Sequence, residues 1–231
     1  VFVTSVEYGT TKQITHTPEA ERGVSFGADN RSLVYSSERG GKRDLYIAKI
    51  SRKEDLNFPN ATLIEEEPLV PSKTLERDYP QFSPDGKEVA FIEDRNRLMV
   101  VNLDTKKIRQ VTDGSTWYTR SGGFDYSWSP DGKWFTLEFI GNKHDPYSDI
   151  GLVSADGKGQ IINLTNSGYT SGSPRWVMGG NAILFITERY GMRNHASWGS
   201  LNDVMIAFLN QDAYDKFRLS KEDYELQKQL E

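Results

Sequence analysis

The sequence predicts an all-β protein: a β-propeller segment of four-stranded antiparallel blades, about four of them visible, followed by a C-terminal helix. Three observations predict it. One hairpin phrase recurs four times. A short apolar run follows each copy, and further short runs repeat at matching distances behind it.

The phrase comes first. Its copies are "FGADNRSLVY" from Phe26, "FSPDGKEVAF" from Phe82, "WSPDGKWFTL" from Trp128 and "WVMGGNAILF" from Trp176, spaced 56, 46 and 48 residues apart. Asp85-Gly86, Asp131-Gly132 and Gly179-Gly180 read as two-residue turns of type I′, and Asp29-Asn30 as a weaker version. The phrase is thus the hairpin between a blade's first two strands, with its lysine in solvent. Second strands follow as Leu33-Val34-Tyr35, Val89-Ala90-Phe91-Ile92, Trp134 to Phe139, and Ile183-Leu184-Phe185-Ile186. Third strands are "DLYIAKI" at 44–50, "RLMVVNL" at 97–103, "DIGLVSA" at 149–155 and "DVMIAFL" at 203–209. Fourth strands end in an apolar-Thr pair: Ile14-Thr15, Val111-Thr112 and Leu164-Thr165. Continuous apolar runs suit strands covered on both faces.

The expected boundaries are blades over 1–209: a partial first blade at 1–15, blades around 16–52, 77–112 and 120–165, and a partial last blade at 173–209. A charged helical extension fills 210–231, where Ser220 and Asp223 form a capping box and Leu226 and Leu230 share a face. A piece of a larger propeller is the expectation. A self-closed ring of four blades, with the terminal strands sharing one blade, is the alternative.

Composition narrows the function. The longest apolar runs are about five residues, where a membrane-spanning helix needs roughly 20, and no signal peptide is visible. With no cysteine, disulfides, thiolate metal sites and cysteine nucleophiles are excluded together. The net charge of −5 and dispersed basic residues argue against nucleic acid. His195 and Ser197 put an imidazole near a hydroxyl, but G-x-S-x-G is missing, so no catalytic residue is assigned. Asn142, His144, Asp145 and Asp149 could ligate a cation, but in no recognised loop spacing, so neither metal nor cofactor is expected. Glu65-Glu66-Glu67 reads as a solvated run, and Trp128, Trp134 and Trp176 as core.

The loops carry the functional expectation. First-to-second turns are tight, whereas 36–43, 66–79, 113–124, 140–148 and 187–202 are long and rich in aromatic and basic residues. The candidate peptide- or partner-binding residues are Arg39, Arg43, Trp117, Tyr118, Arg120, Tyr190, Arg193, His195 and Trp198, with His144 beside them. The competing reading is that these loops pack on each other or on neighbouring domains.

The "FSPDGK" and "WSPDGK" hairpins, followed by "LMVVNLDTKKIRQVTDG", resemble the WD-like propeller repeats of TolB and of tricorn-type serine peptidases, over about residues 13–209. "GMRNHASWGSLNDVMIAFLNQDAYDKFRLSKEDYEL" resembles the end of the N-terminal propeller in bacterial tricorn protease homologues, where a charged helix interrupts the last blade. The resemblance implies a second propeller, a PDZ domain and a catalytic domain beyond Glu231, with the family's catalytic serine and histidine having no counterpart here. It implies a non-catalytic module that binds, gates or guides peptide, in a periplasmic setting, with a cytoplasmic one as the alternative. The implied partners are peptides or unfolded polypeptide, or downstream domains of the same protein; homo-oligomerisation stays open. A TolB-like periplasmic interaction scaffold is the second reading, and the propeller of a prolyl-oligopeptidase-like enzyme the third.

Overall fold

In the computed structural model, residues 1–117, 122–141, 147–192 and 201–230 are described. The chain divides into two compact units, Val1–Phe124 with Ala155–Gly159, and Asp125–Ser154 with Gln160–Glu231.

The first unit starts with a two-stranded sheet, β1 (Phe2–Thr4) with β2 (Thr11–Gln13). A four-stranded meander follows: β3 (Glu21–Phe26), β4 (Ser32–Ser37), β5 (Asp44–Ile50) and β6 (Ile64–Pro68). A second consists of β7 (Arg77–Phe82), β8 (Glu88–Glu93), β9 (Arg97–Asn102) and β10 (Ile108–Gln110). All neighbouring strands are antiparallel. The apolar runs are continuous because both faces of a sheet are covered. On β4, Val34 joins a cluster with Phe82, Val89, Phe91 and Val101 from the next sheet. Its neighbours Leu33 and Tyr35 point the other way, into a cluster with Ile14, Phe58 and Ala61. Burying Phe91 completely contributes about 1.5–3 kcal/mol.

The second unit holds β11 (Tyr126–Trp128), β12 (Trp134–Phe139), β13 (Asp149–Ser154) and β14 (Ile162–Asn163) in one sheet. A three-stranded sheet follows, β15 (Ser171–Val177), β16 (Ala182–Thr187) and β17 (Asp203–Phe208). Ile150 and Leu152 meet Ile183 and Phe185 in its core. Two helices end the chain, α1 (Gln211–Arg218) and α2 (Lys221–Leu230).

Four expectations need correction. The Asp85-Gly86 and Asp131-Gly132 hairpins are not two-residue type I′ turns, whereas Gly179 and Gly180 both take the positive φ (64° and 94°) that type I′ requires. Gly86 and Gly132 have positive φ (71° and 70°), while Asp85 and Asp131 do not. Ser83 N donates to Glu88 O and Gly86 N to Ser83 O, so the loop is Pro84–Lys87, with proline early and glycine taking the left-handed step. Asp85 braces it by accepting from Ser83 Oγ and Lys87 N. Second, Glu65–Glu67 lies on strand β6, with Glu65 and Glu67 exposed and Glu66 half-buried, so this sheet extends past residue 52 to Pro68. An edge strand needs no apolar alternation. Third, Trp134 is 38% exposed at the start of β12, while Trp128 is buried. Fourth, the charged tail is two helices. Asn210 caps the first, its side chain accepting from Ala213 N. Ser220 Oγ accepts from Asp223 N and donates to its carboxylate, forming the capping pair of the second. Leu226 and Leu230 are exposed.

Candidate functional site

The first strands of three sheets share a kink absent from the sequence reading. Register shifts fall between Arg22 and Ser25, Asp78 and Gln81, and Gly172 and Arg175. Each bulge holds one residue at positive φ: Gly23 (65°), Tyr79 (52°) and Ser173 (52°). Tyr79 and Ser173 precede prolines, a position that normally favours extended backbone, so both store strain.

In the first unit the bulges turn Arg22 and Asp78 toward each other. Arg22 donates twice from Nε to the Asp78 carboxylate, at 3.2 and 3.0 Å, and its Nη2 makes a third contact. Arg43 Nη1 donates to the same carboxylate at 2.6 Å, Ser36 Oγ at 2.6 Å and Tyr79 N at 2.9 Å. Burial pushes the Asp78 carboxyl up, but these donors outweigh it and hold the group below the usual aspartate range. The Arg22 guanidinium also lies 5.0 Å over the Tyr79 ring.

Around this knot is a cavity of about 320 Å³, lined by Arg22, Arg43, Glu76, Asp78, Tyr79, Ile92, Arg95, Gly122 and Gly123. The Arg22 and Arg95 side chains are about half exposed, 46% and 47%, so both keep part of their surface open to solvent. Arg95 Nε stands 3.6 Å from Glu76. At Gly123 a Cβ would sit 2.8 Å from Ile92 Cδ1 and 3.0 Å from the Tyr79 ring, so a larger residue there would push these side chains aside. The arrangement can receive an acidic group between two guanidinium faces and an aromatic ring. A wider hollow of about 1230 Å³ beside α1 and α2 has charges of both signs on its walls and no such convergence.

Only part of the expected loop set enters this cavity. Arg43 does. Trp117 supports it from behind: its indole Nε1 donates to Gly122 O at 3.3 Å, and its ring packs 5.6 Å from Phe124. Arg39 belongs to another network, donating to Glu21 and Glu66 at 2.9 and 2.5 Å and to the Tyr35 hydroxyl at 2.7 Å. Its guanidinium covers the Tyr46 ring at 4.6 Å. Tyr190 lies in the second unit, 64% exposed, under Arg189. Tyr118, Arg120, Arg193, His195 and Trp198, with Asn142, His144, Asp145 and Ser197, lie outside the described residues. Asp149 spends its carboxylate on Thr165, Asn163 and Ser167 N. Among the described residues no cluster of three potential ligands could hold a metal, and no helix is long and apolar enough to cross a membrane. Arg22, Asp78, Tyr79 and Arg95 were missed. The Tyr79-Pro80 and Ser173-Pro174 pairs before the repeated phrase were the available signal.

In the second unit two carboxylates meet the bulge: Ser173 Oγ donates to Asp125 at 3.2 Å. Glu138 accepts from Ser173 N at 2.6 Å and Asp125 N at 3.4 Å. Burial pushes its carboxyl up, the nearby Asp125 charge adds to this, and the backbone donors and Arg175 only partly offset it.

These sheets, hairpins and bulges are those of a partial β-propeller. No family model matches the sequence. The chain is similar to the Tol-Pal system protein TolB of Francisella tularensis subsp. tularensis, 24% identical over 152 residues, covering 63% of this chain and 31% of that protein. Among solved structures it is similar to TolB from Acinetobacter baumannii, with a TM-score of 0.65 and 20% identity over 91% of this chain and 46% of that one. It is also similar to the tricorn protease, with a TM-score of 0.60 and 14% identity over 86% of this chain and 19% of that one. The chain therefore carries a TolB-like propeller fold of the kind found in tricorn-type peptidases, and spans less than half of each of these relatives.

Proposed function

We propose that this chain is a non-catalytic propeller module of a tricorn-like peptidase, and that it binds, gates or guides peptide. The observation that carries the reading is the cavity in which Arg22, Arg43 and Arg95 meet Tyr79. Guanidinium and aromatic groups on a stiff scaffold suit an acidic side chain or terminal carboxylate of an extended chain. Holding that chain near a catalytic domain raises its effective concentration there. The cavity joins sheets of one unit, so no moving part is needed to form it. A periplasmic setting is part of the proposal, supported by the similarity to TolB.

The test is fluorescence anisotropy with labelled unfolded polypeptides, one acidic and one neutral. Saturable binding of the acidic chain, weakened about tenfold by Arg95→Ala, is expected. No saturable binding of either chain would overturn the proposal. A second reading, a TolB-like periplasmic scaffold that docks a folded partner, is favoured by the similarity to TolB over most of this chain. It predicts capture of a folded protein with no affinity for unfolded chains.

A further inference from the structure

The three guanidinium groups at the Arg22–Asp78 cavity are held to different degrees. Arg43 Nη1 lies 2.6 Å from Asp78, and its Nε lies 3.2 Å from Glu38. Arg22 donates to Asp78 from Nε and Nη2 and covers the Tyr79 ring. Arg95 faces Glu76 across 3.6 Å, longer than the roughly 2.7–2.9 Å of a charge-assisted hydrogen bond. Their side chains are 47% and 34% exposed, so water screens the attraction. Of these ion pairs, Arg95–Glu76 is the longest.

Main-chain bonds nevertheless keep the two residues side by side. Asp94 and Arg95 form the turn between β8 and β9, both at positive φ (47° and 68°), and Asn96 N donates to Glu93 O across them at 3.3 Å. Arginine in left-handed backbone stores strain that glycine would avoid, and such strain collects at functional sites. Glu76 is stapled to this turn. Its N–H donates to Asp94 Oδ1 at 3.0 Å, and its carbonyl accepts from Asp94 N at 2.9 Å. Asp94 Oδ2 accepts from Arg97 Nη2 at 2.8 Å. With Asp94 committed in this way, the carboxylate that faces Arg95 in the cavity wall is that of Glu76.

We propose that Glu76 is a built-in competitor for the acidic ligand of this cavity. Its carboxylate sits beside Arg95, and an incoming carboxylate must displace it before engaging that guanidinium. Binding then exchanges one anion for another at the same cation, so the contact is weak and quickly released, as a chain that is passed onward requires. A lone carboxylate gains little by the exchange. A chain that also reaches Arg22 and the Tyr79 ring gains more, which sets acidic chains apart from small acids. The inference rests on the peptide-handling reading and names the residue that regulates its site.

The probe is a labelled unfolded polypeptide rich in aspartate and glutamate, titrated by fluorescence anisotropy against the 231-residue chain. Glu76→Gln keeps both main-chain bonds to Asp94 and should tighten binding about three- to fivefold, with the urea midpoint unchanged. In an Arg95→Ala background the gain should vanish. Glu67→Gln removes the same charge from a side chain 57% exposed on β6, beside Lys49, and should leave the affinity as it was. Unchanged or weaker binding by Glu76→Gln would overturn the proposal. An equal gain from Glu67→Gln, which marks a general charge effect, would also overturn it, as would a gain that persists without Arg95. If the acidic chain binds with dependence on Arg95 but not on Glu76, only the competitor falls; if it binds neither the parent chain nor Glu76→Gln, the peptide-handling reading falls too.

Discussion

Replacing Asp78 with alanine removes the acceptor shared by Arg22, Arg43, Ser36 and the Tyr79 amide. The cost can be worked group by group. Arg22 is half exposed and regains water, so its share is about 0–1 kcal/mol. Arg43 is mostly covered and keeps only Glu38, at 3.2 Å, so losing Asp78 costs about 1–2 kcal/mol. Ser36 Oγ retains the Arg22 carbonyl at 3.0 Å, which limits its loss to about 1 kcal/mol. The total is about 3 kcal/mol, at the low end of the ~3–5 kcal/mol for breaking a fully buried pair. For a chain of this size that lowers the melting temperature by about 6–12 °C. Urea unfolding and thermal melting measure it, with hydrogen exchange at β4 and β7 locating it. In an Arg43→Ala background the loss should shrink by about 1 kcal/mol. A loss under about 0.5 kcal/mol, or no coupling to Arg43, would refute the assignment of this knot as the clamp between the two sheets.

Other perturbations report on other parts of the chain. Glu138 binds protons more readily folded than unfolded, so stability should fall as pH rises from the ordinary glutamate value through its elevated one, and Glu138→Gln should flatten that stretch of the stability–pH curve. Gly23→Ala puts a Cβ at positive φ and 3.1 Å from the Tyr79 backbone, and should cost about 1–3 kcal/mol in urea unfolding. Trp117→Ala should cost about 2 kcal/mol and also weaken acidic-peptide binding, because Gly122 loses its anchor; unchanged stability with lost binding would make Trp117 a ligand contact instead.

The sequence made the hairpins visible because their chemistry is local. Ser83, Asp85 and Gly86 hold one loop together within a few residues, and the phrase repeats at Ser129, Asp131 and Gly132. The third strands were legible because both their faces are apolar. Strand β6 was not, since its Glu66 satisfies Arg39 and Tyr35 across the sheet, and a charged edge looks like a loop when its partners are about 30 residues away. The cavity was hidden for the same reason. Arg22 and Asp78 stand 56 residues apart, and each reads alone as an ordinary surface charge. Arg43 was found as a loop cation, but its commitment to Asp78 depends on a bulge whose signal is one Tyr-Pro pair.

The coverage of both faces of each inner sheet also bears on how such a chain can change over time. On β4 and β8 no residue has a face to spare, so drift there is confined to swaps that conserve volume on two sides at once. The hairpin tips and the long connections carry no such double duty. Variation is therefore channelled into the hairpin tips and the long connections, which can be exchanged while the sheets stay fixed.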